Sequence, residues 1–575
     1  MSSHLGCFGD KYAETPELDA FAAQSLRYTC CWSNAPVCAP ARTTIISGVY
    51  PPALGAEHMR SSTKMGEGQK MFPQILREAG YYTSNNSKED YNVVHTGKVW
   101  DESSPRAHWR KRASGQPFFS VFNFTITHES QVRMRPHTLR HSPAEVRIPA
   151  YHPDTPEVRH DWAQNYDNVH AMDAMAGNVL KELRADGLEQ DTIVFFYSDH
   201  GTGMPRSKRW PYDSGLRVPL IIHFPEKWRE LATSEYRPGA ATGRPVSFVD
   251  LAPTVLSLAA LPKAPYHQGF AFLGKDAAPR QPYVFGFRGR MDERYDLVRS
   301  VTDGRYVYLR QYMPHRIYGQ HISYMFETPT TRIWEQLYKE GKLNEVQRRF
   351  WEPKPSEELY DLQSDPDEVT NLANSPSHSA ILSKMRQAQE ALATRIRDIG
   401  FLPENEIHER AGNGAPFDAA KSIRNLPAIH AMAGIAAGMN RNHDDSLVRG
   451  LQDADSAVRY WAAQGFLMRK QVSPLRKSLQ DPAPAVRIVA AEALGRFGNE
   501  KDLARALDVL LEYTDVEKNG VYLSLMALNA LDYMDAKAKP VTDRLGTITT
   551  QSDRFPQALN GYVPRLLETV RQGLQ

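Results

Sequence analysis

Cysteine is scarce and confined in this 575-residue chain: Cys7, Cys30, Cys31 and Cys38 are the four, and none follows. That crowding excludes a disulfide framework spread across the fold. One thiol with a chemical task and three small buried hydrophobes account for the set, with a strained vicinal Cys30–Cys31 bridge as the alternative. Charge of one sign is missing too. The 69 lysines and arginines against 67 aspartates and glutamates exclude a nucleic-acid or membrane-surface protein held by bulk charge, though not local handling of an anion. No apolar run reaches the ~18 residues of a membrane span, and residues 1–20 carry no signal-peptide core. What remains, 41% apolar, 24% charged and 10% aromatic, is a globular composition, and the length suits about three domains.

Residues 1–270 alternate strand-like and helix-like segments. Phe118–Thr127, Thr192–Tyr197 and Val218–Phe224 read as strands buried on both faces. Val169, Met172, Ala176, Val179, Leu180 and Leu183 recur at helical spacing, with Gly187 as a stop. Strand, helix, strand predicts an α/β domain with a largely parallel sheet, its ligand site at the carboxyl ends of the strands. His128 and Asp199-His200 fall there. From residue 281 the texture changes: Pro282–Phe287, Tyr295–Ser300 and Arg305–Arg310 read as short strands, with a turn at Asp303-Gly304. A helix follows at about 376–398, and residues 312–353, rich in Tyr, Trp and Arg, read as an insertion packed near the site.

Residues 410–440 are rich in Gly and Ala and are expected to form a linker. Beyond them, Leu451-Gln-Asp-Ala-Asp-Ser-Ala-Val-Arg459 with Ala462-Ala463 is echoed by Leu479-Gln-Asp-Pro-Ala-Pro-Ala-Val-Arg487 with Ala490-Ala491. A degenerate third copy runs through Val521–Met534. This resembles HEAT-like repeats, which stack helix pairs because no pair buries its own apolar face.

The chemistry centres on Cys38-x-Pro40-x-Arg42, ahead of a helix-like apolar stretch. As residues alone, a thiol one turn from a fixed cation reads as a low-pKa nucleophile. Asp199-His200-Gly201 places a carboxylate and an imidazole at a strand end, where both can turn toward one cation. Lys88, His128 and Lys208 add the positive charge that a tetrahedral, increasingly anionic transition state requires.

Cys38-x-Pro40-x-Arg42 resembles the activation motif of the type I sulfatases, of the alkaline-phosphatase superfamily, and the resemblance covers about residues 2–405. It implies an α/β alkaline-phosphatase-like sandwich with a central mostly parallel sheet, a small antiparallel C-terminal subdomain and, here, an all-α HEAT-like tail. The expected divisions are 1–280, 281–409, the 410–440 linker and 441–575. It implies that a formylglycine-generating (sulfatase-maturing) enzyme oxidises Cys38 to formylglycine. Its hydrate attacks sulfur to form a sulfo-enzyme, and the second hydroxyl then expels sulfate. Arg42 would orient that group. Asp199, His200 and residue 38 would bind Ca2+ or another divalent metal, and Lys88, His128 and Lys208 would hold the sulfate and protonate the leaving oxygen. His200 in place of an asparagine resembles the phosphonate monoester hydrolases and choline sulfatases, which admits manganese or zinc and a phosphate-type substrate.

The Glu57-His-Met-Arg60 and Thr127-His-Glu-Ser130 stretches resemble a branch near the heparan N-sulfatases. The implied activity is hydrolysis of a sulfate ester or sulfamate on a carbohydrate or related small molecule. The alternatives are a phosphonate monoester or phosphodiester hydrolase, or an inactive binding protein whose tail docks a protein partner. His58, Arg60 and Arg290 are candidate substrate contacts, with Asp292 and Glu293 beside the last. Two departures stand out. Where many relatives have Lys-x-His, this chain has Lys88-x-Asp90, so that histidine's work is expected to pass to His58 or Tyr91. The family's first strand and its two acidic metal ligands precede the segment that here begins Met1-Ser-Ser-His4. Weak metal affinity is therefore expected, with an acidic-ended strand encoded in frame upstream, and periplasmic or secreted location if a signal peptide precedes it.

Overall fold

The computed structural model describes residues 1–94 and 97–574. In chain order its first part contains β1 (Leu26–Tyr28), α1 (Cys38–Ser47), β2 (Tyr82–Asn86), β3 (Glu102–Ser103), β4 (Phe118–Phe122), α2 (Pro156–Ala185), β5 (Val194–Tyr197), β6 (Leu220–His223) and β7 (Ala241–Thr242). One sheet runs β3-β2-β4 and is wholly parallel, with Tyr82 opposite Phe118 and Asn86 opposite Phe122. The other runs β7-β1-β6-β5. In it β7 lies parallel to β1, while β6 is antiparallel to both β1 and β5. Two short parallel pairs, Cys31–Trp32 with Val246–Ser247 and Thr63–Lys64 with Val93–Val94, stand apart from these, so the parallel arrangement is divided among several sheets rather than held in one.

Two of the strands expected to be buried on both faces are half-buried at every position, namely β4 and β5. The reason is topological. β4 pairs only with β2 and β5 only with β6, so among the described residues neither has a neighbour on its other edge. The third, β6, is buried as its sequence predicts. The long α2 starts at a Thr155 cap followed by Pro156, a sequence suited to a helix start. It buries Val169, Met172 and Ala176 in a cluster with Met1, Leu5 and Leu18, against which Phe124 and Phe196 pack.

The next part is an antiparallel sheet, β8 (Val284–Arg288), β9 (Val298–Thr302), β10 (Tyr306–Gln311) and β11 (Glu357–Asp361), followed by α3 (Ser379–Ile396). Gly304, at φ +101°, makes the β9–β10 turn a hairpin. The 312–353 insertion packs through aromatic faces, with Phe350 stacked on Trp334 at 4.3 Å.

Residues 410–440 are not a free linker. They include α4 (Leu426–Ala437), whose Ile429, Ala433, Ala436 and Ala437 are fully buried, because alanine favours helix and lets α4 pack closely. The repeats follow as α5 (Ser456–Met468), α6 (Pro484–Phe497), α7 (Glu500–Tyr513), α8 (Val516–Asp532) and α9 (Tyr562–Leu574). Their Val-Arg arginines link neighbours: Arg459 pairs with Asp481 at 2.8 Å and Arg487 with Glu512 at 2.7 Å. Among the described residues no helix is long and apolar enough to cross a membrane.

Candidate active site

Cys38 is the first residue of α1, after an extended Val37, so its thiol lies at the positive end of the helix. Pro40 falls in the first turn, where its missing N–H costs no hydrogen bond. One turn on, Arg42 Nε donates to Asp199 Oδ2 at 2.9 Å, and its Nη1 donates to Asn123 Oδ1 at 2.9 Å. Asp199 and His200 leave the end of β5. Gly201 is required there, since a Cβ would lie 2.0 Å from the Ser214 carbonyl oxygen.

His200 Nδ1 bonds the Gly201 carbonyl at 2.9 Å, which assigns the proton to Nδ1 and leaves the Nε2 lone pair facing Cys38 Sγ at 3.3 Å. Cys38 Sγ, an Asp199 oxygen and a His200 nitrogen lie within 4.8 Å of one another. With oxygen at position 38 in place of sulfur, two oxygens and one imidazole nitrogen form a donor set suited to a divalent cation.

Positive charge converges on this cluster. Lys88 Nζ lies 3.9 Å from Asp199. Burial and Asp199 would raise the Cys38 thiol, but Lys208, His200 and Lys88 hold it well below its ordinary value. Burial would likewise raise Asp199, and His200, Arg42 and Lys88 hold it well below the usual carboxylate range. His128 closes the far side. The Ser130 N–H donates to His128 Nδ1 at 3.3 Å, leaving Nε2 toward Lys208 Nζ at 3.4 Å. A hydrogen bond to Cys38 would raise the His128 pKa, yet burial and Lys208 prevail and it is lowered.

The fold thus gathers Cys38, Arg42, Lys88, His128, Asp199, His200 and Lys208 from distant stretches of the sequence. His58, Arg60 and Arg290 are placed differently. His58 is buried, its Nδ1 accepts the Arg290 N–H at 2.8 Å, and burial brings its pKa down to about 4. Arg290 is fully buried and holds Glu404 through two nitrogens at 2.6 and 2.7 Å, so it meets no substrate here. Arg60 is about one-third exposed and pairs with Asp90. Tyr91 is half-buried, and burial pushes its phenol far up.

Asp90, the departure noted after Lys88, lies 3.4 Å from it. Other neighbours escaped the sequence reading. Glu129 is 3.1 Å from Lys208 and 2.8 Å from Arg209, and Arg209 is 2.8 Å from Asp292. Burial would raise Glu129, but Arg209 and Lys208 bring it down to about 2. Its adjacency to His128 was the signal available. Tyr324, from the insertion, stands with its ring 6.3 Å from that of His128.

Comparison with known proteins gives the family. The sulfatase family model matches residues 1–261, and a model of HEAT repeats matches residues 444–529. An ulvan-active sulfatase of Formosa agariphila is 38% identical over 465 residues, spanning 72% of this chain and 76% of that protein. Human N-sulphoglucosamine sulphohydrolase is 24% identical, over 66% of this chain and 85% of its own length. A solved structure of a putative sulfatase from Bacteroides thetaiotaomicron aligns with TM-score 0.49 at 18% identity, covering 69% of this chain and 91% of that one. The chain belongs to the sulfatase family.

Proposed function

We propose that this member of the sulfatase family hydrolyses sulfate esters or sulfamates of oligosaccharides at the cluster around Cys38. The observation that carries the reading is the meeting of Cys38, Asp199 and His200 within 4.8 Å, under Arg42, Lys88 and Lys208. Relatives named for ulvan and for N-sulphoglucosamine support a carbohydrate substrate. Formylglycine derived from Cys38 would supply, as its hydrate, an oxygen nucleophile and a second hydroxyl that releases sulfate.

Lys88 and Lys208 would bind the sulfuryl oxygens, whose negative charge grows toward the transition state. Arg42 fixes Asp199 through its Nε, and Asn123 fixes Arg42 in turn. With its Nδ1 accepting the Ser130 N–H, His128 would carry its proton on Nε2, where it could pass to the leaving oxygen. Asp199, His200 and the residue-38 oxygen would hold a divalent cation that offsets the sulfate charge. Two oxygen donors favour calcium, with manganese or zinc admitted by the imidazole. Because Cys38 is only 3% exposed, a maturing enzyme would have to reach it before α1 docks.

Co-expression with a sulfatase-maturing enzyme, mass spectrometry of the Cys38 peptide, and rates on an aryl sulfate and an aryl phosphodiester test the reading. Oxidation of Cys38 together with faster sulfate hydrolysis supports it. A large phosphodiester preference would assign the site to phosphonate or phosphodiester hydrolysis, and an unmodified thiol throughout would mark an inert homologue.

A further inference from the structure

Helices α8 and α9 of the repeat region do not present this face to solvent. They lie against two loops of the catalytic part. In the first loop, residues 57–62, the Ser61 carbonyl accepts the Tyr522 hydroxyl at 3.1 Å, and the Tyr522 ring stacks on His408 at 4.5 Å. In the second, residues 289–294, Asn529 Nδ2 donates to the Glu293 carbonyl at 2.9 Å. There Arg294 bonds Asn529 at 3.0 Å and Asp532 at 2.7 Å, and the Arg290 guanidinium lies 5.3 Å over the Tyr562 ring. The loops are also tied to each other, since the Met59 N–H donates to the Arg290 carbonyl at 2.9 Å.

Each loop carries one charged residue in the left-handed region, Arg60 at φ +64° and Asp292 at φ +51°. A non-glycine residue persists there only when its surroundings hold it. Each of these residues starts a chain of ion pairs that ends at a lysine of the site. Arg60 pairs with Asp90, which stands 3.4 Å from Lys88. Asp292 pairs with Arg209, Arg209 with Glu129, and Glu129 with Lys208, at 2.8, 2.8 and 3.1 Å.

We propose that the helical tail is a positioning element of the active site: Tyr522 and Asn529 hold the two loops whose ion-pair chains set Lys88 and Lys208. The inference rests on the sulfatase reading for its consequence in catalysis, though not for its mechanical content. It also assigns this face of α8 and α9 to the chain's own catalytic part rather than to a protein partner.

The test uses the full chain with Tyr522→Phe, Asn529→Ala and both together, and Lys518→Ala on the exposed start of α8 as control. Tyr522→Phe keeps the stack on His408 and removes only the hydroxyl, so the fold survives. Hydrogen exchange read by mass spectrometry is expected to quicken at 57–62 and 289–294 and to spread to 86–92 and 206–210 in the double variant. For aryl sulfate, kcat/KM is expected to fall about tenfold, well below the melting temperature, because small misplacements of charged groups are costly in rate. Exchange that quickens only within the repeat helices, with kcat/KM within about twofold of the parent, overturns the proposal. If the parent has no sulfatase activity, the exchange at 86–92 and 206–210 still decides it.

Discussion

Glu129→Gln removes one negative charge and keeps the side-chain volume. Glu129 is only 2% exposed and faces Lys208 at 3.1 Å and Arg209 at 2.8 Å. Arg209 retains Asp292, whereas no second carboxylate pairs with Lys208 among the described residues. The Glu129 pKa of about 2, against 4.5 for an ordinary glutamate, corresponds to about 3 kcal/mol of folded-state preference for the carboxylate. Removing one partner of a buried pair costs a similar 3–5 kcal/mol, roughly, because it strands a buried charge.

The sign with pH follows from the depressed pKa. The contribution is fully present above the unfolded value of 4.5 and is lost as pH falls from there toward about 2. Urea unfolding of parent and E129Q side by side, from about pH 7 to about pH 3, reads the difference between them. A gap of about 3 kcal/mol at neutral pH, shrinking by more than half at about pH 3, is expected. A gap that does not change with pH would refute the electrostatic account.

Three further outcomes are expected. Asp199→Ala strands the half-buried Arg42 and removes a metal donor, so binding of Mn2+ followed by electron paramagnetic resonance should be lost and turnover should fall by roughly a thousandfold. Arg290→Ala should act on stability, by about 3–5 kcal/mol, through the unpaired Glu404; a change confined to KM would instead return Arg290 to substrate contact. For His58, whose pKa is lowered to about 4, the neutral form is the folded one, so its contribution is full above the ordinary 6.5 and is lost as pH falls toward 4. His58→Asn should therefore flatten the acid side of the stability profile between those values, and an unchanged slope there would remove His58 from the account.

Local chemistry was legible where it depended on neighbours in sequence. Cys38 and Arg42 share one helix, so their spacing set their common orientation before any tertiary contact. Asp199-His200 was readable because a short apolar strand precedes it. The Val-Arg repeat was likewise visible from its own period, and the structure explains its arginines as links to the turn or helix that follows. By contrast, His58 became a candidate through the Glu57-His-Met-Arg60 stretch and the missing family histidine, and Arg290 through its place at a strand end beside Asp292 and Glu293. Nothing local revealed that Glu404 and the Arg290 backbone would enclose them. Nor did alanine richness at 410–440 distinguish a linker from a packed helix, since small residues serve both.

The sequence by itself determined the family and the order of the charged groups that gather around Cys38, because those reside in short motifs whose residues lie within one turn or one strand end. Only the tertiary structure decided which charges are partnered. Arg60 on Asp90, Glu129 under Lys208 and Tyr522 on Ser61 are pairings across the fold, the last between residues 461 apart. Such contacts leave no periodic trace in a sequence. They arise when buried charges must find counter-charges, and it is the packing of loops and repeat helices around the site that determines which ones they meet.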